Sequence, residues 1–263
     1  MKNIPHDYYL KFTHAEVIDE VLNFHTKGNF IIHDSVKNIA QLHQLSVQDL
    51  HNLTGNELQL YPDLDITLND IEIGSFDETS PLHRNPSCNY FKDAATPFDK
   101  VLELLSPLTS KSSTAHNRGY PSAGALYPVE VFCCSLNTQN DWPSGDKILH
   151  LLPNSKKFEV VQNNFDTDKL KKSILPLAHG IGTPSLAIIY VIHMPKILFK
   201  YRYRGYRLAM MEAGSMYMLV DLHSKKLHLK SRQWSGFSDN MLCKSIGLNP
   251  TLFYPACVHL IGK

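Results

Sequence analysis

Apolar positions recur along this chain with two different periods, and the periods divide it into elements. In segment 14–27, Val17, Ile18, Val21 and Leu22 form a stripe of helical spacing. Ser46, a capping type, followed by Val47, Leu50 and Leu53 as far as Gly55, predicts a second short helix. Residues 64–73 are acidic with alternating apolar positions. Thr96-Pro97 predicts the start of a helix, with threonine at the cap and proline at the first helical position. Val101, Leu102 and Leu105 supply its apolar face, and Ser106-Pro107 closes it. Strand-like runs follow at 129–136, 147–152 and 158–161. Segment 166–177 predicts an amphipathic helix with Leu170, Ile174 and Leu177 inward. The run 186–192 is apolar throughout and rich in β-branched residues, the mark of a strand buried on both faces.

Segment 205–222 predicts a helix with Leu208, Met211, Met218 and Leu222 near one face. Ala209, Met210, Ala213, Met216, Tyr217 and Val220 fill much of the rest, so this helix is expected to be buried in the fold or in an oligomer. Small residues at Ala209, Ala213 and Gly214 let another backbone come close. Ser238-Asp239 caps a last helix that runs to Gly247, and 257–261 forms a final strand. These elements leave α+β and α/β both open.

Composition narrows the classes. Lysine and arginine total 26 against 25 acidic residues, and a net charge of +1 argues against broad binding to a phosphate backbone. The longest apolar run, 186–192, is far shorter than the roughly 20 residues of a membrane helix. Residues 1–12 lack the apolar core of a signal peptide. The five cysteines are odd in number and form no C-x-x-C pair, so reduced cysteines in a cytoplasmic core are expected, with no zinc site or disulfide framework. Adjacent Cys133 and Cys134 would face opposite sides of a strand. No H-E-x-x-H pattern occurs among the 14 histidines, and no metal centre is expected. Residues 1–75 carry no catalytic constellation and read as an accessory region. Residues 76–96 are polar and turn-rich, a linker or extended arm leading into the main domain, 76–263.

Three segments carry candidate chemistry. In 118–128 small residues are concentrated between Pro121 and Pro128, which lets a backbone approach a flat ligand closely. Ser122 can donate and accept hydrogen bonds there, and Arg118 can pair with an anion. The spacing is not that of a P-loop or a Rossmann turn, and a plain turn before a strand accounts for the same residues. In 200–207 four cations alternate with tyrosines. An edge strand before a solvated helix start, or an arginine/aromatic nucleic-acid surface, fits this pattern. So does an acid–base pair of Lys200 and Tyr201, since a nearby ammonium favours negative charge on a phenol. In a regular strand these neighbours face opposite sides, so the pair requires a bend in the chain, as at a strand-to-helix junction. In 232–237 Gly236 permits close backbone approach and Trp234 can pack against a ring, although a loop leading into a helix explains as much.

Together, Tyr120 to Pro128 with Glu130, Lys200 to Arg207, Met211 to Tyr217 and Arg232 to Gly236 resemble the nitroreductase-like flavoprotein superfamily. More narrowly they are similar to the SagB-type azoline dehydrogenases of azole-modified, microcin-like peptide biosynthesis. The resemblance implies an α+β fold around an antiparallel-centred sheet, with FMN bound at a homodimer interface. It implies oxidation of thiazolines and oxazolines in a precursor peptide, alongside a cyclodehydratase and other synthetase subunits. Lys200 and Tyr201 match the family's catalytic lysine and tyrosine. Pro121, Ser122, Ala123, Gly124 and Ala125 would lie along the isoalloxazine, and Ser235 and Gly236 would offer N–H groups near its reactive edge. Superfamily members place arginine and serine before the first core helix to hold the FMN phosphate. Residues 91–97 have no arginine, which leaves Lys92, Arg232 or another cation for that task; Arg118 counts among the cofactor-binding residues. Residues 1–75 are the candidate for docking the cyclodehydratase or the peptide leader. A nitro or quinone reductase using NAD(P)H, and a flavin-free scaffold subunit, are the alternatives.

Overall fold

The computed structural model describes residues 5, 7–29, 46–49, 80–111, 117–138, 141–143, 145, 147–161, 167–175 and 180–263. Six strands form its sheet: β1 (Val129–Ser135), β2 (Leu149–Leu152), β3 (Lys157–Val160), β4 (Leu186–His193), β5 (Lys230–Trp234) and β6 (Phe253–Gly262). Their order is β3-β2-β1-β4-β6-β5, and every neighbouring pair is antiparallel. Helices cover both faces, so the fold is α+β as the resemblance implied.

The strand read from its continuous apolar run, β4, lies near the centre with all eight residues buried. Successive side chains go to opposite faces. Leu186, Ile188, Tyr190 and Ile192 join one core, and Ala187, Ile189 and Val191 the other. Cys133 and Cys134 divide in the same way, and all five cysteines are free and buried. The first core is covered by α1 (Ala15–Thr26), α2 (Phe98–Leu105), α4 (Pro195–Tyr201) and the long α5 (Tyr203–Lys226). The second is covered by α3 (Thr167–Ile174) and α6 (Asp239–Ile246), through Leu170, Ile174, Leu242, Cys243 and Ile246.

Several expectations shift. Pro97 rather than Thr96 caps α2, and Leu104 faces the core while Leu102 is exposed. The final strand starts at Phe253. A register shift between Tyr190 and Val191 pairs them with Cys257 and Pro255, so the ladder passes the proline by a bulge. Residues 232–234, which a loop leading into a helix would also explain, belong to the edge strand β5, Lys230–Trp234. On α5 the buried side carries Ala209, Glu212, Ala213, Met216 and Val220, whereas Met211 and Met218 are exposed. The helix is therefore apolar on an open side as well as a closed one.

Residues Met1–Phe30 and Arg84–Lys263 make one compact unit and Ile31–His83 a second. Helix α1 lies in the first unit and packs on α4 and α5 through Val17 and Val21. In the second, residues 47–49 are helical and the Asp49 N–H donates to Ser46 Oγ at 3.1 Å, the cap the sequence predicts. The remainder of that helix to Gly55, the alternation over 64–73, and Asp166 and Leu177 lie outside the described residues. The arm before α2 is laced to the main unit. Phe91 is fully buried, its N–H donates to Ile181 O, and the N–H groups of Cys88 and Lys92 donate to Ser231 O and Lys263 O.

The segment holding Lys200 and Tyr201 is neither an edge strand nor a strand end; it closes the helix α4. Pro195 in its first turn has a preset φ and lacks an N–H that would go unpaired there. The helix stops at Arg202, whose φ of 48° and ψ of −137° no helix accommodates. Helix α5 starts on the next residue. A Cβ on its Gly205 would lie 3.1 Å from Ile197 O and 3.2 Å from the Leu198 side chain, so the two helices cross where only glycine fits. Gly205→Leu is expected to cost about 1–3 kcal/mol through overpacking of this crossing. Urea unfolding would check it, and an unchanged midpoint would show the crossing to be slack.

Candidate active site

The loop before β1 has a shape that costs energy to hold. Gly124, Ala125 and Tyr127 take positive φ values of 61°, 54° and 49°. Left-handed backbone costs a residue with a Cβ about 1–2 kcal/mol. Polar contacts compensate. The Tyr127 N–H donates to Ser122 Oγ at 2.8 Å, and Ser122 Oγ–H donates to Glu212 Oε2 on α5 at 2.5 Å. The Val129 N–H reaches Glu212 Oε1 at 3.4 Å. On the other side the Arg118 N–H donates to Tyr127 Oη at 3.2 Å. The Arg118 guanidinium donates to Tyr120 Oη at 2.8 Å and lies 4.1 Å from the Tyr127 ring centre, a cation–π distance. Arg118 Nε is buried with no protein partner.

This loop meets the end of α4. A Cβ on Gly124 would lie 2.7 Å from Lys200 Nζ and 2.8 Å from Tyr201 Oη. Both side chains thus reach one point, and the Lys200 ammonium lies 5.3 Å from the Tyr201 ring centre. The bend required by the sequence argument exists, but it joins two helices rather than a strand and a helix. One turn earlier on α4, Lys196 Nζ pairs with Glu130 Oε1 on β1 at 3.2 Å, and His150 Nε2 stands 3.3 Å from the other oxygen. That pairing fixes α4 to the sheet.

Two carboxyl groups beside the loop are driven in opposite directions. Burial would raise Glu130, but Lys196 and His150 outweigh it and hold the group at about 2. Glu212 is 3% exposed, and burial pushes it up to about 7 against the opposing bonds from Ser122 and Val129. Glu212 and Lys196 were assigned no role from sequence. The available signal was an acid among the apolar positions of α5, where Asp221 is a second, and a lysine one turn before Lys200.

Arg232, Ser235 and Gly236 are not gathered here. They belong to β5 and the loop after it, at the sheet edge beyond β4 and β6. Arg232 Nη1 donates to Cys88 O at 3.0 Å and to Asn89 Oδ1 at 3.3 Å. Trp234, expected to pack against a bound ring, sits in the second core with its Nε1–H on Ile174 O at 2.8 Å. A Cβ on Gly236 would come within 3.2 Å of that indole, so the close packing here is against Trp234 itself. Pro121 is exposed and Ala123 half-buried at the loop. Among the described residues no cluster of His, Cys, Asp and Glu could hold a metal ion, and no helix is long and apolar enough to cross a membrane.

No family model matches the chain. The chain is 33% identical over 256 residues to the microcin B17-processing protein McbC of Escherichia coli, covering 95% of this chain and 92% of that protein. Among solved structures it is similar to a chain of the E. coli microcin synthetase McbBCD complex with truncated pro-MccB17 bound. The TM-score is 0.85 at 30% identity, over 99% of this chain and 98% of that one. A protein described as a nitroreductase from Ralstonia eutropha shares the fold, with a TM-score of 0.57 at 17% identity over 71% of this chain and 85% of that one.

The Glu212 carboxyl sets a pH dependence whose sign is fixed. Its folded value of about 7 lies above the ordinary 4.5, so between these the folded state keeps a proton that the unfolded chain has released. Its contribution to stability is complete below the lower value and is lost as pH rises through the upper one. Glu212→Gln stays neutral throughout and is expected to gain on the wild type between about pH 5 and about pH 8 in denaturation midpoint. Parallel midpoints across that range would refute a buried, proton-holding Glu212.

Proposed function

The chain belongs to the family of the microcin B17-processing protein McbC, and from that premise we propose that it is an FMN-dependent azoline dehydrogenase. In this reading it oxidises thiazoline and oxazoline rings of a precursor peptide to thiazoles and oxazoles. The observation that carries it is the convergence of Lys200 Nζ and Tyr201 Oη on Gly124, in a loop of small residues.

Making the ring aromatic removes one proton and one hydride from it. Tyr201 Oη takes the proton, and the Lys200 ammonium beside it stabilises the negative charge the phenol oxygen must carry to act as a base. Lys196, paired with Glu130, holds α4 so that both groups keep their place at the loop. When bound, FMN supplies the two-electron acceptor for the hydride, with molecular oxygen as terminal oxidant. The residues fit such a group. Gly124 presents backbone without a side chain, and Arg118 keeps a buried, unpartnered Nε–H beside the same loop. Arg118 and the stretch from Pro121 through Ser122, Ala123 and Gly124 to Ala125 would hold one side of it.

Arg232, Ser235 and Gly236 lie across β4 and β6 from that loop, so their part in a flavin site requires a second copy of the chain. The open apolar side of α5 supports a homodimer. Met211 and Met218 are exposed there, and a Cβ on Gly214 would meet no atom within 4 Å. The likeness to a synthetase chain in complex with a truncated precursor supports a peptide substrate and partner synthetase subunits for this protein too. The five free, buried cysteines support a cytoplasmic location in this reading.

Lys200→Ala and Tyr201→Phe are expected to keep the yellow of bound flavin and to abolish azole formation. Mass spectrometry of the co-expressed precursor would check this through the loss of two hydrogens per ring. Full conversion by both variants would remove the acid–base role.

A further inference from the structure

The loop that meets Lys200 and Tyr201 is strained although it makes two backbone bonds of its own, Ala125 N–H to Ser122 O and Leu126 N–H to Ala123 O. Three of its residues stand at positive φ, and two of them, Ala125 and Tyr127, carry a Cβ. Besides those two backbone bonds and the Arg118 contacts, the compensating bonds converge on one side chain from another element. Ser122 Oγ accepts the Tyr127 N–H and passes its own hydrogen to Glu212 Oε2, while Glu212 Oε1 takes the Val129 N–H. The residues from Ser122 to Val129 are therefore tied at both ends to one carboxyl group on α5, and Gly124 sits between those ties.

We propose that Glu212 is a positioning residue: its carboxylate, through Ser122 and the Val129 N–H, clamps the 122–129 loop in the conformation that seats Gly124 against Lys200 and Tyr201. Its bearing on catalysis rests on the proposed reaction of that pair; the clamp itself does not.

The ionised form is the one that clamps. Both groups facing Glu212 are donors, and a carboxylate offers only acceptors. A protonated carboxyl brings a donor of its own and its hydroxyl oxygen is a weaker acceptor, so it cannot hold both donors as well. The other charged or titratable groups acting on this site are Arg118 and Tyr120 from the loop and Lys196 from α4. The two cations favour the carboxylate, and burial opposes it. If opening the loop breaks the Ser122 and Val129 bonds while Glu212 stays buried on α5, ionisation favours the closed loop even as it costs the whole fold stability; the clamp is expected to tighten as pH rises through about 7, and the rate of azole formation to rise with it.

The test compares wild type, Glu212→Gln and Ser122→Ala within the assembled synthetase, by amide hydrogen exchange and by turnover of the cyclised precursor. Glu212→Gln is expected to speed exchange of the Tyr127 and Val129 amides about tenfold and to lower kcat about tenfold with little change in KM. Its rate is also expected to lose the rise near neutral pH. Ser122→Ala removes only the bridging hydroxyl and should free the Tyr127 amide, which keeps the test decisive if Glu212→Gln folds poorly. Wild-type protection of both amides in the two variants, or a kept pH limb in Glu212→Gln, would overturn the clamp. Full turnover by Tyr201→Phe together with the expected exchange change would uphold the clamp and sink the catalytic reading instead.

Discussion

A carboxyl group shut away from water must give up its charge or be met by donors, and Glu212 stands between these two states. Its donors come from a loop with three residues at positive φ, and that loop faces the end of α4. The geometry of the site thus follows a short chain of dependence: a carboxyl on α5, a hydroxyl, a left-handed turn, and then an amine and a phenol on the neighbouring helix. Each step is a hydrogen bond or a steric fit. Neutral bonds of this kind contribute about 0.5–1.5 kcal/mol each, and those to a charged group about 1.5–3. That is the same order as the backbone strain they offset.

Helix α4 is restrained on several sides. At its first turn Lys196 pairs with Glu130 on β1. Along its length Phe199 stacks on Tyr9 from the N-terminal turn, at 5.3 Å between ring centres. At its end the missing side chain of Gly205 lets α5 cross it closely. A seven-residue helix is too short to be stable alone. Such bracing is what lets its last two residues hold a fixed position. The two carboxylates divide the labour: Glu130 stays charged and anchors the helix, and Glu212, near its balance point, shapes the loop.

Much of this was legible in the sequence where the signal is local. The run 186–192 gave away a doubly buried strand because every residue in it is apolar. Cys133 and Cys134 divided between the two cores as the period of a strand dictates. The edge strand β5 was missed because its residues, Lys230 to Trp234, are mostly polar and only Ser231 and Trp234 are buried. The start of β6 was missed because Pro255 argues against a strand until a bulge accommodates it. Helix α4 had no reading of its own in the sequence: its last two residues fitted an edge strand or a strand-to-helix junction, although Pro195 carries the signal of a helix start. The meeting of Gly124 with Lys200 and Tyr201 is a long-range contact that no local periodicity encodes; the resemblance to SagB-type enzymes named the residues, and only the fold supplied the distance. Glu212 looked like one more polar residue on a helix, and its importance lies in what surrounds it.

The five thiols are all buried, and burial pushes Cys134, Cys243 and Cys257 up to about 12, with Cys133 higher still. Since the thiolate is the reactive form, an electrophile finds almost none at these four positions of the folded chain at neutral pH. Capture by such a reagent then waits for the sheet to open. The cysteines amount to an internal clock for how often this protein lets water into its two cores.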